Sequence, residues 1–159
     1  MLTRWTLFAI PMVAACHTSM SNVDADNGNY NCAAETRADV WQIPLVKKGE
    51  QTAMQFSLVD AMPAPPIRGD NTWTLQINQM AGGVVGAPMT GASLIATPYM
   101  PDHMHGTPKV VNITAMPTAG QYQLSPVNMW MPGLWQTTIN ASAAGGPSDT
   151  VVYSICIPD

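Results

Sequence analysis

The chain is short of charge. Of its 159 residues only 6 are Lys or Arg and 10 are Asp or Glu, giving a net charge of −4 at neutral pH. Without a basic patch it lacks the electrostatic footprint of nucleic-acid binding. It has no apolar run of membrane-spanning length: the stretch from Trp5 to Ala15 is too short to cross a bilayer as a helix. The residues of acid–base and nucleophilic catalysis are also scarce. No serine nucleophile motif stands beside a histidine and no paired acids occur, so the reading is of a protein that is not an enzyme. Cysteines number three, and they do not cluster as a metal knot would require.

Proline, glycine and methionine are plentiful. Fourteen prolines and 12 glycines in a weakly charged chain favour short strands and turns over solvated helices. Twelve methionines are many for this length, although methionine often only fills irregular core space.

The N-terminus reads as an address. Arg4 precedes the apolar run, which ends Val13-Ala14-Ala15-Cys16. Small residues before a cysteine resemble a bacterial lipobox, in which that cysteine is lipidated and becomes the first mature residue. Residues 1–15 are then a lipoprotein signal peptide, and residues 16–31, polar and without periodicity, a lipid-anchored flexible tether. The expected location is the cell envelope, on the periplasmic face of the outer membrane, since His17 rather than Asp follows the lipidated position. With Cys16 taken by lipid, Cys32 and Cys156 remain in an oxidising compartment, where a disulfide is the default. It would join the start of the folded domain, residues 32–159, to its last strand.

The strands follow from alternation and punctuation. An edge strand is expected over Asp39–Lys47, with Pro44 barring a central place. Thr52–Asp60 follows, with Met54, Phe56 and Leu58 on one face. Ala61–Asp70 carries three prolines and reads as an extended crossing segment. Asn71–Asn78 is the clearest strand, with Trp73, Leu75 and Ile77 inward. Further strands are expected over Ala92–Tyr99, Lys109–Ala115, Gln121–Trp130 with a kink at Pro126, Leu134–Ala141 and Thr150–Ile157. The sum is an all-β chain: an antiparallel immunoglobulin-like β-sandwich of about 7–8 strands, with Trp73 and Trp135 in its core.

Two stretches carry the chemistry. Met100-Pro101-Asp102-His103-Met104-His105-Gly106 holds two of the three histidines. Asn128-Met129-Trp130-Met131-Pro132-Gly133-Leu134-Trp135 answers it downstream. Read as strands, the first sets His103 and His105 on one face and Met104 on the other, and the second sets Met129 and Met131 on a common face. Met100, His103, Met104, His105, Met129 and Met131 are soft or borderline donors suited to copper(I). Asp102 is placed to accept from an imidazole N–H behind them. Two histidines and one carboxylate fall short of a closed zinc site, and a blue-copper centre would need a cysteine that the disulfide has already taken. The alternative is architectural: a strand end and turn whose histidines bond neighbouring loops, and a hairpin whose methionines pack in the core.

These motifs, together with Gly69-Asp70-Asn71-Thr72-Trp73, Gly120-Gln121-Tyr122 and the terminal Val151–Cys156, resemble the YtkA-like domain, an exported immunoglobulin-like module related to the periplasmic part of FixH proteins. The resemblance covers Cys32 to Asp159. It implies a sandwich outside the cytoplasm and a link to copper handling, with a copper donor or acceptor protein as partner. The family usually has glycine between the two histidines, where this chain has Met104. Two functions follow as expectations: a lipoprotein that holds or passes copper(I), or a metal-free structural or protein-interaction lipoprotein of the envelope.

Overall fold

The computed structural model describes residues 30–159. The expected signal peptide, the expected lipidation site Cys16 and nearly all of the expected tether lie outside the described residues.

Ten strands form two antiparallel sheets packed as a sandwich. In chain order they are β1 Leu45–Lys48, β2 Met54–Met62, β3 Gly69–Ala81, β4 Val84–Pro88, β5 Ser93–Met100, β6 His105–Gly106, β7 Asn112–Ala115, β8 Gln121–Met129, β9 Gly133–Ser142 and β10 Ser148–Ile157. The larger sheet runs β1-β2-β3-β8-β7, with β4 also paired to β3. The smaller runs β10-β9-β5-β6. Among the described residues the helical structure is one 3-10 turn, Cys32–Ala34, capped by the Asn31 side chain.

Alternation places the core. On β3, Asn71, Trp73, Leu75 and Ile77 are buried and the residues between them are not. On β9, Trp135, Thr137, Ile139 and Ala141 do the same from the other layer. Trp73 meets Tyr153 of the opposite sheet edge-on, with centroids 6.1 Å apart. Each such large apolar side chain contributes about 1.5–3 kcal/mol by leaving water. Burial also pushes the Tyr153 phenol well above its ordinary pKa. Cys32 and Cys156 form the expected disulfide, with Cα atoms 5.6 Å apart.

Several expectations are revised. The first strand holds its edge position but begins only at Leu45. Asp39 instead bonds across to β10, its N–H donating to Ser154 O and its carboxylate accepting from Ser154 N, and Pro44 has no N–H to extend a ladder. The proline-rich segment does not cross between layers: β2 and β3 pair antiparallel, so it closes a hairpin within one sheet. There Asn71 replaces the missing donors, bonding both Ile67 N and Ile67 O. β4 was not expected. All five of its residues are exposed, so no inward face marks it. The signal for it was Gly82-Gly83, since Ala81 pairs with Val84 across a two-residue turn. The kink at Pro126 is a bulge, in which Ser125 and Pro126 together oppose Thr72.

Candidate metal centre

The site is built at one end of the sandwich by a hairpin and a crossover. β5 brings in Pro98 and Met100 on its buried face. The chain then turns through Pro101–Met104 and returns as β6, with Tyr99 opposite Gly106 and Met100 opposite His105. The continuous strand expected over this stretch is thus a turn flanked by two short rungs. Pro101 has no donor for a ladder, and Met104 adopts φ +54°, the left-handed conformation that closes the turn. Met104 occupies the place where the family usually has glycine, so the glycine-like backbone shape persists with a side chain on it, and that side chain is 81% exposed.

The turn still brings the histidines together. Their ring centroids are 5.7 Å apart, edge to face. His105 is the more enclosed. It stacks on Trp130 at 5.3 Å with planes 26° apart, and meets Trp135 edge-on at 6.3 Å. As the residue directly opposite Met100, it shares a sheet face with that fully buried thioether. His105 Nδ1 lies 3.0 Å from Gly106 O. A carbonyl can only accept, so Nδ1 is the donor, and in the neutral tautomer the lone pair is on Nε2.

The second stretch is divided between the layers. Met129 ends β8 in the larger sheet, fully buried. Trp130, Met131 and Pro132 then cross to β9 in the smaller sheet. β8 does not continue through Trp130 and Met131, and the expected hairpin does not form, because Met129 and Gly133 belong to different sheets. Gly133 has φ +124°, and a Cβ on it would sit 2.7 Å from Met100 Cε. The crossover needs glycine there both for its backbone angle and for the methionine packed against it. Met131 is partly buried against the core, and its carbonyl accepts from Trp135 Nε1 at 2.9 Å. Arg68 Nε donates to Trp130 O at 3.0 Å, holding the crossover to the β2–β3 loop.

Asp102 does not serve the imidazoles. Its two oxygens accept from Arg37 Nη1 at 2.6 Å and Nη2 at 2.7 Å, and Tyr30 Oη donates to it at 3.3 Å. The Arg37 hydrogen bond holds the Asp102 carboxyl below its ordinary pKa. The Arg37 pKa is raised, first by its bonds to Glu35 and then by those to Asp102. On the other flank Thr107 Oγ1 donates to Asn128 Oδ1, and Asn128 Nδ2 donates to Asp70, which also pairs with Lys109 Nζ at 2.6 Å. Trp130, Arg37 and Tyr30 are site residues that the sequence reading did not assign. Trp130 had a visible signal, standing between two methionines beside the crossover. Arg37 and Tyr30 had none.

Among the described residues no three of His, Cys, Asp and Glu converge as a metal-binding group. Two imidazoles bound through nitrogens about 2 Å from one ion have centroids roughly 5–6.5 Å apart, and the observed separation falls within that range. His103, His105 and Met100 carry imidazole and thioether donors, types that copper(I) accepts without fixed charge.

A copper-bound variant of FetP from uropathogenic Escherichia coli strain F11 is similar in structure, with a TM-score of 0.49 and 11% identity, over 74% of this chain and 98% of that one. That likeness is too distant to speak for the chemistry of this chain. No curated protein matches the sequence. The model of the YtkA-like family matches residues 48–140, a span from the end of β1 into β9 that includes the histidine turn and the crossover. The chain belongs to the YtkA-like family.

Proposed function

We propose that this protein is an exported lipoprotein that holds copper(I) and passes it on, without catalysis. The observation that carries the reading is the hairpin pairing Met100 with His105 while its turn sets His103 5.7 Å away. Copper is cargo here. His103, His105 and Met100 would hold it, with Met129 and Met131 adjoining from the crossover side. Met104, exposed on the turn, is placed to meet an arriving ion or a partner's ligand. Thioether and imidazole donors exchange readily, which suits transfer to an acceptor protein. Lipidation at Cys16 would tether the domain to the periplasmic face of the outer membrane, and the lipobox-like run before it supports this.

A second reading has its own observation. Met100 and Met129 are fully buried, as core residues would be in a metal-free, protein-interacting sandwich of the envelope.

The test is a copper(I) competition titration of the full chain in mild detergent against a chromophoric chelator. The reading expects one-to-one binding that is lost in a His103→Ala/His105→Ala variant. A wild-type protein that leaves the chelator's copper untouched would establish the metal-free reading instead.

A further inference from the structure

The turn that carries His103 has little backbone support. Ladder pairing ends at Met100 and His105, so Pro101, Asp102, His103 and Met104 lie outside it, with Met104 in a left-handed conformation that does not favour a long side chain. Something else has to fix this loop, and Asp102 is its anchored residue. Arg37 reaches it from the arm before β1, using one planar fork for two carboxylates. Nη1 and Nη2 hold Asp102, while Nε and Nη2 hold Glu35 at 2.8 and 2.6 Å. The Glu35 side chain is fully buried and also accepts from Tyr30 Oη at 2.7 Å. The arm is itself fixed, by the Cys32–Cys156 bridge at one end and the Asp39–Ser154 bonds at the other. A rigid support thus meets a weakly supported turn through one guanidinium.

We propose that Arg37 is a positioning residue of the metal site: through Asp102 it sets the conformation of the turn that presents His103 beside His105. The inference rests on the copper reading for its consequence but not for its geometry. Bidentate pairing makes arginine specific, since lysine supplies charge without the planar fork.

The test compares wild type with Arg37→Met, Arg37→Lys and Asp102→Asn, all as the full chain. Two readouts are taken. The first, without metal, is the proton resonances of the His103 and His105 rings, sensitive to turn geometry because His105 lies against Trp130 and Trp135 and His103 against His105. The second is copper(I) affinity by competition. Arg37→Met and Asp102→Asn are expected to shift the imidazole resonances and weaken copper(I) binding tenfold or more, with Arg37→Lys recovering only part. Arg37→Met is expected to keep the far-ultraviolet circular dichroism of wild type, which a general loss of structure would abolish. Unmoved resonances in both Arg37→Met and Asp102→Asn would overturn the inference, as would shifted resonances with unchanged affinity. If wild type binds no copper, the copper reading falls, and the resonances alone then decide whether Arg37 sets the turn.

Discussion

His105 lies nearly flat on Trp130, the two rings 5.3 Å apart and 26° from parallel. One belongs to the short strand β6 and the other to the crossover between the sheets, so their stack joins the two halves of the site. A metal bound at His105 would therefore be felt first by Trp130. Adding silver(I), a redox-inert stand-in for copper(I), is expected to change tryptophan fluorescence. Trp130→Phe is expected to lose more than half of that change, although four other tryptophans remain in the chain. Trp130→Ala is expected to lower stability by about 0.5–1.5 kcal/mol, the worth of one aromatic pair, as read by urea unfolding.

Two methionines of the same motif are expected to behave oppositely. Met100 is fully buried, and Met100→Ala should cost about 2–5 kcal/mol. Met104 is 81% exposed at φ +54°. Met104→Gly should raise stability by about 0.5–1 kcal/mol, because glycine takes that backbone angle without a Cβ penalty. Equilibrium unfolding of the two variants separates packing from backbone strain in a single comparison.

Thr137 is fully buried on β9, and its hydroxyl has no hydrogen-bond partner among the described residues. A buried hydroxyl without a partner opposes folding by about 1–3 kcal/mol. Thr137→Val keeps the shape and removes the polar atom, so its melting temperature is expected to rise. An unchanged or lower value would mean that the hydroxyl is satisfied in solution.

The Asp70 carboxyl is held below its ordinary pKa, first by the hydrogen bond from Lys109 and then by that from Asn128. A depressed folded-state value stabilises the fold at pH above the unfolded pKa of about 3.9. That contribution is lost as pH falls through the folded value. Wild type should exceed Asp70→Asn in stability at neutral pH, and the gap should close in strong acid. A gap that is constant across an acid titration of both proteins would rule this linkage out.

The central strands were legible in the sequence because they alternate. Trp73, Leu75 and Ile77 on β3, and Trp135 and Ile139 on β9, each announce one buried face. β4 exposes both faces, so periodicity had nothing to report. At the site, residue types were legible and geometry was not. Alternation can place His103 and His105 on a shared face only if the strand continues, and Pro101 together with the left-handed Met104 ends it. The crossover at Trp130–Pro132 escaped for a similar reason: a proline–glycine turn looks alike whether it returns within one sheet or passes to another. Arg37 was beyond reach altogether. Its partner lies 65 positions away, and no local pattern encodes such a pairing.

The crossover has a kinetic consequence. Because Met129 and Gly133 sit in different layers, the chain itself ties the two sheets together at that end of the sandwich. Parting them there would break the Trp135–Met131 bond and the His105–Trp130 stack. The frequency of local opening at that end would follow these contacts rather than the ladders of either sheet. Amides flanking Met131 should exchange with deuterium at the pace of that opening, and faster in Trp130→Ala.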